Sequence, residues 1–376
     1  MFLGDVQHYT LAMKIILILL TLIPLSASAQ LFNIRVLDYG VTCSAGVPEQ
    51  SFCTYVDSQL AEVEAEVNEN LPSGTPTRLM DGMADSSVMA GKGIGTDYAS
   101  HMDVFLIGAG VGVGADLHKD SQTDSDLSGA AVAPGVILGM NLSWMNSKRL
   151  LGMDTDRLNL YLNFMNYNFK QNINDEPGER SDAELDMMAL GVHFRYDWIK
   201  GRGNKLLGWG GVKFTFGYEY NKNDINFQSE ISENADEFDQ PGQDYTGTVS
   251  GRPEAQIETT THSIPLALST DVQLLYFLSL YTGIGVDYNW GKSKGTGDVN
   301  GSASSISCTG AGCPTNPTIQ VRPEADIDAT GNPTPFTARG FLGVQLNIPF
   351  VRVFVQADKS LGNDLVSATA GVRLVY

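Results

Sequence analysis

From residue 103 to the last residue, apolar and polar side chains alternate one by one. The run 185–199 is the clearest. Met188, Leu190, Val192, Phe194, Tyr196 and Trp198 share one face, and Ala189, Gly191, His193, Arg195 and Asp197 share the other. A period of two belongs to a β-strand, whose successive side chains point to opposite faces. The run 209–221 repeats it, with Val212, Phe214, Phe216, Tyr218 and Tyr220 against Lys213, Thr215, Gly217, Glu219 and Asn221. So does 278–290, where Leu278, Leu280, Thr282, Ile284, Val286, Tyr288 and Trp290 oppose Ser279, Tyr281, Gly283, Gly285, Asp287 and Asn289. A soluble sandwich holds this rhythm over a few residues only. Here the apolar faces are long and finish in Tyr and Trp, as they do at headgroup level.

Ten segments obey the rule: 103–117, 131–145, 157–169, 185–199, 209–221, 263–274, 278–290, 336–348, 351–358 and 365–376. In 157–169 the apolar face switches near Phe164 and Met165, which predicts a bulge. Beyond residue 29 no apolar run reaches the length of a membrane-spanning helix. Hydrocarbon offers no partner to an open sheet edge, so strands in a membrane must close into a ring. The expected fold is therefore all-β, a transmembrane antiparallel up-and-down β-barrel with an N-terminal helical plug or periplasmic segment. The ring has ten strands, or twelve if more come from the long loops or from 31–40.

Connection lengths support that fold. Long polar connections (118–130, 170–184, 222–262, 291–335 and the shorter 359–364) alternate with short ones (146–156, 199–208, 275–277, 349–350). Bacterial barrels carry long loops outside and short turns in the periplasm. The long loops are thus expected to be extracellular and both termini periplasmic. In the last segment Ala368, Ala370, Val372, Leu374 and Tyr376 alternate with Ser367, Thr369, Gly371 and Arg373, and the final residue is aromatic. Here residues 103–376 resemble the bacterial outer-membrane β-barrel superfamily. The resemblance implies an outer-membrane location and a terminal strand, ending in Tyr376, that the barrel-assembly machinery reads. It specifies no subfamily.

The N-terminal quarter has a different pattern. Residues 13–29 read as a signal peptide: Lys14, then an apolar run to Leu25, then Ala27-Ser28-Ala29 before cleavage. Residues 1–12 read as an over-long start, with Met13 as the expected true start and Gln30 as the mature N-terminus. Within 30–102 a helix is expected over 54–70, capped by Thr54, with Val56, Leu60, Val63 and Val67 on one stripe. A second, weaker helix over 76–89 carries Leu79, Met80, Met83 and Val88. This region is expected to be either a lumen plug or a small periplasmic cap. Inward Gly108, Gly110, Gly112 and Gly114, with Gly139, Gly191, Gly217, Gly283, Gly285, Gly343 and Gly371, favour the plug, because strand glycines mark close approach by another backbone. The alternative is that small residues relieve crowding in a narrow barrel.

The net charge of −19 excludes nucleic acid, whose phosphates need basic patches. The inward faces carry Arg195, Lys213, Arg339, Arg352 and Arg373 against Asp197, Glu219, Asp271, Asp287 and Asp358. A strongly ion-selective pore would be dominated by one sign. Balanced charges inside a barrel pair with one another or with water, which predicts a lattice of ion pairs. His193, Arg195 and Asp197 line up on one face, but strand neighbours two apart stand about 7 Å from each other. No motif fixes a catalytic geometry there or at His262, nearer the rim, so neither an enzyme nor a cofactor is expected. The acidic connection 222–262 is a candidate to hold divalent cations or to bridge to lipopolysaccharide. Cys43, Cys53, Cys308 and Cys313 form two local pairs, which in an oxidising compartment predict Cys43–Cys53 and Cys308–Cys313 disulfides rather than a metal site. Two functions fit: a narrow plugged channel or small-solute transporter, or a surface-exposed, adhesin-like anchor whose acidic extracellular loops bind partners.

Overall fold

The computed structural model describes residues 38–42, 76–99, 104–118, 126–145, 149–150, 152–173, 180–203, 206–234, 243–275, 277–310 and 320–376. The chain opens with strand β1 (Asp38–Thr42) and helix α1 (Pro76–Ala90). Strands β2 (Phe105–His118) and β3 (Asp126–Asn141) follow, then a small hairpin of β4 (Arg149–Leu150) and β5 (Met153–Asp154). The remaining strands are β6 (Leu158–Ile173), β7 (Arg180–Gly203), β8 (Leu207–Asn234), β9 (Gln243–Leu274), β10 (Leu278–Gly310), β11 (Gln320–Gly331), β12 (Phe336–Ile348), β13 (Val351–Ser360) and β14 (Leu365–Val375).

Ten of these strands close a ring in the order β10-β12-β13-β14-β2-β3-β6-β7-β8-β9, with β9 paired back to β10 and every neighbour antiparallel. These are the ten segments that the period-two pattern marked. The sheet also holds β11, paired to the upper part of β10, and β1, paired to β11. Two strands beyond the ring therefore come from the 291–335 connection and from near 31–40, but they extend the sheet without widening the ring.

The outward face is an apolar belt. On β10, Leu280, Ile284, Val286, Tyr288 and Trp290 are exposed, while Ser279, Tyr281, Asp287 and Asn289 between them are buried. A row of aromatic and apolar side chains closes the belt at one end: Phe164, Leu190, Tyr220, His262 and Trp290 lie side by side in register. The next row is Asn166, Met188, Lys222, Thr260 and Lys292, largely polar. At the other end Phe105 stacks on Tyr376 at 5.3 Å between ring centroids, with Trp198 and Phe350 exposed nearby in the belt's lower margin. No described helix is long and apolar enough to cross a membrane.

Several expectations need correction. The switch at Phe164 and Met165 is not a bulge, since β6 pairs with β7 in unbroken register from Leu158 to Ile173. The outward face simply turns polar, at Asn166, Asn168 and Lys170, where the strand leaves the belt. Much of 170–184, 222–262 and 291–335 is strand rather than loop. The β9–β10 ladder continues from Trp290 to Gly310 with one register shift. At about 3.3 Å per residue those twenty positions measure roughly 66 Å along the strand. Beyond the apolar zone nothing requires an apolar face, so the two-residue signal fades although the ladder does not.

β14 finishes at the short turns, whereas β1 sits on β11 among the long strands. The expected helix 54–70 lies outside the described residues. So do Cys43, Cys53 and Cys313, and Cys308 is described only as a backbone position in β10.

Candidate functional site

The lumen is occupied by residues 76–99. Pro76 suits the first helical position, where its missing N–H is not needed. α1 then spans roughly 22 Å at about 1.5 Å per residue. Met80 and Met83 pack on Ile257 and Ala329 near the long-strand end. Ala90 and Ile94 pack on Leu106, Ala131, Ala133, Ile137 and Tyr161 farther in. Tyr98 and Ala99 pack on Ala267, Tyr281 and Phe341, and Ala99 reaches a cavity beside Trp209 and Phe350 at the short-turn end. Burying each of the larger apolar side chains stabilises the plug by about 1.5–3 kcal/mol.

Close backbone approach is part of the fit. A Cβ on Gly82, in the middle of α1, would strike the Ser128 backbone on β3. One on Gly114 of β2 would strike the Ser86 carbonyl, and Gly112 meets the Ala90 carbonyl in the same way. These contacts give the glycine signal its meaning at Gly112 and Gly114, whereas Gly108 and Gly110 meet the neighbouring strand β14. Gly129, Gly135, Gly295 and Gly331 also meet the plug, at Gly82, Ile94 and Met80, but other inward glycines serve the rival purpose. Gly217 makes room for His193, Gly283 for Phe341, Gly343 for Tyr281 and Gly371 for Phe354, all of them large wall side chains.

The inward charges read from the sequence do line the lumen, and plug residues join them into two clusters. In the first, Lys92 Nζ lies 2.6 Å from Glu219 Oε2 and 3.6 Å from Asp287, and it donates to Ser263 Oγ at 2.9 Å. Arg339 bridges Asp287 at 2.9 Å and Asp358 at 2.6 Å, and His193 Nε2 stands 3.6 Å from Glu219. In the second cluster Asp97 receives Arg352 at 3.2 Å and Arg373 at 3.5 Å. Arg195 donates to the Asp97 carbonyl and lies 3.5 Å from Asp197. Lys213 pairs with Asp271 at 2.5 Å and donates to the Tyr98 carbonyl at 2.8 Å. Arg373 also donates to the Thr96 carbonyl at 2.8 Å and lies 3.6 Å over the Phe354 ring.

The plug thus offers a cation to a nest of wall carboxylates and, five residues on, a carboxylate to a nest of wall cations. Lys92 and Asp97 are both 1% exposed, which leaves water little part in their pairing. At the long-strand end Asp81 accepts from the Asn332 backbone N–H at 2.7 Å, and Asp85 accepts from the Thr334 N–H at 2.6 Å and hydroxyl at 2.8 Å. Sequence reasoning singled out none of these four plug residues. The one available signal was a lone Lys and a lone Asp in the glycine-rich stretch Gly91-Lys92-Gly93-Ile94-Gly95-Thr96-Asp97.

His262 points outward. Its ring stacks on Trp290 at 5.2 Å, and its Nδ1 lies 2.8 Å from the Tyr218 hydroxyl, within the aromatic row of the belt. At the short-turn end Asp271, Gln273, Ser279, Asn347 and Arg352 help line a cavity of about 740 Å³ that stops against Ala99. Among the described residues no cluster of three His, Cys, Asp or Glu side chains is arranged to hold a metal ion.

A closed antiparallel ring with an outward apolar belt and a polar, filled lumen is the architecture of the bacterial outer-membrane β-barrel superfamily. The family model described as Lsa36-like matches residues 36–376. The chain belongs to the Lsa36-like family. That match takes in the plug and β1 together with the whole ring. No curated protein matches the Lsa36-like chain. Among solved structures it is similar to the transport unit of the autotransporter AIDA-I from Escherichia coli, with 12% identity and a TM-score of 0.30 over 77% of this chain and 96% of that one. It is also similar to Acinetobacter baumannii CarO, with 12% identity and a TM-score of 0.25 over 72% and 97% of the two chains. A third is the translocator domain of NalP from Neisseria meningitidis, with 10% identity and a TM-score of 0.27 over 87% and 98%.

Proposed function

We propose that this Lsa36-like protein is a sealed outer-membrane anchor that holds a β-sheet off the cell surface, with its long strands outside and its short turns in the periplasm. The observation that carries this reading is the plug, pinned through Lys92 and Asp97 to opposite charges on the wall. A lumen locked in that way conducts nothing at rest, while β8, β9, β10 and β11 continue past the aromatic row into water. The barrel's partners on this reading are membrane lipid along the belt and lipopolysaccharide at the polar row above it. The assembly machinery would recognise the strand that leads to Tyr376. Divalent cations would gather at the acidic upper strands, and no side chain is given a catalytic role. Planar-bilayer recording on purified full-length protein tests the seal. Steady single-channel current without added solute would rule it out.

A second reading, a gated channel for a small solute, draws on the cavity at the short-turn end. Asp271, Gln273, Asn347 and Arg352 give it the few converging polar groups of a binding pocket. The readings differ in one respect: a gated channel opens when its solute is supplied, and a sealed anchor does not.

A further inference from the structure

We infer that the barrel carries its own N-terminal strand through the membrane, so that β1 stands outside the cell. The inference rests on the orientation proposed above, with the long strands outside.

The argument is one of parity. A plug that enters a barrel from the periplasm and returns there crosses the lumen an even number of times. Residues 76–99 cross it once. At the long-strand end, Met80 lies against Gly295 of β10 and Gly331 of β11, and Asp85 is bonded to Thr334 beside the start of β12. Successive contacts then descend from Ser87 at Thr261, to Lys92 at Ser263 and Thr369, to Tyr98 at Lys213. Ala99 lines the same cavity as Ile348, Pro349 and Phe350 of a short turn, and β2 begins at that same end. One crossing puts Pro76 on the side opposite to the start of β2.

A separate observation agrees. β1 pairs with β11 from Asp38 opposite Glu324 to Thr42 opposite Gln320, and β11 pairs with β10 over Ser293–Asn300, above Trp290. The N-terminal strand therefore completes the sheet that projects beyond the belt. Gly82 and Gly114 meet the opposing backbone without room for a Cβ, so the crossing segment fits too tightly to be threaded through a finished ring. It must be in place while the ring closes, and β1 ahead of it is then delivered across the membrane as the barrel forms.

The test places a short epitope tag in the full-length chain at one of four points: after Thr42, immediately ahead of Pro76, between β8 and β9 after Asn234, or in the short turn after Gly203. Heat-modifiable gel migration checks that each variant has folded. Antibody staining is then compared between intact and permeabilised cells. The inference expects both N-terminal tags to stain intact cells as strongly as the β8–β9 tag, with the short-turn tag stained only after permeabilisation. If the β8–β9 tag stains intact cells and neither N-terminal tag does, the single crossing is wrong while the orientation stands. If the short-turn tag alone stains intact cells, the orientation is reversed and the inference falls with it. A tag that abolishes folding at one N-terminal point leaves the other to decide.

Discussion

Lys92 Nζ, on the plug, and Glu219 Oε2, on the wall, lie 2.6 Å apart with both residues buried. Desolvation of the two ions offsets much of their attraction, so the pair is worth little against an apolar replacement of both. Removing one partner is different, because it strands the other charge. Lys92→Met is expected to destabilise the folded barrel by about 3–5 kcal/mol, and Lys92→Met with Glu219→Gln by clearly less. Urea denaturation followed by heat-modifiable migration reads the difference. Equal losses for the single and double variants would show that the contact holds nothing together.

Asp97 is the other pin. Asp97→Asn leaves Arg352 and Arg373 facing a neutral group at the short-turn end of the plug. Intact protein is expected to show little current in a planar bilayer, Asp97→Asn to show intermittent openings, and deletion of residues 30–102 to show sustained conductance. A deletion variant that folds yet stays silent would mean that wall side chains alone close the lumen.

Gly114 tests the packing of the plug on the wall. Gly114→Val drives a side chain into the Ser86 carbonyl and is expected to cost about 1–3 kcal/mol through overpacking. Gly362, in the turn between β13 and β14, has open space around the same position, so Gly362→Ala should be close to neutral. Thermal unfolding of the two variants side by side gives the comparison, and similar midpoints would contradict the close approach.

Ile284 lies in the middle of the outward belt and is 61% exposed. In water, an exposed Ile tolerates a charge. In hydrocarbon, Ile284→Arg is expected to cost about 2–4 kcal/mol, falling toward zero near the headgroups. Lys292→Arg, one row above Trp290, should therefore cost nothing measurable. Folding titrations in lipid vesicles separate the two, and a neutral Ile284→Arg would remove the basis for placing this face against lipid.

The ten ring strands were legible in the sequence for a physical reason. Inside the belt each outward position meets lipid and each inward one meets a packed polar interior, so every residue is constrained by its neighbour's opposite. Above Trp290 the outward Lys292 and Lys294 are hydrated, while the inward Ser293 and Gly295 meet Thr259 and Met80, so neither face carries an apolar row that marks the strand. The continuing strand therefore reads as a loop in the sequence. The wall half of the candidate site was readable because Arg195, Glu219 and Asp287 fall at inward positions of regular strands. The plug half was not, because the Lys92–Asp97 stretch has no periodicity of its own. Its charges are fixed by partners more than a hundred residues away in sequence.

Unequal strand lengths give the long-strand rim a direction. β13 and β14 end in a tight turn at 361–364, while β7, β8, β9 and β10 rise far above that level farther round the ring. The raised strands screen one flank like the back of a chair, and the front is left low. A visitor to the mouth meets least obstruction from the described strands by coming in over the β13–β14 turn.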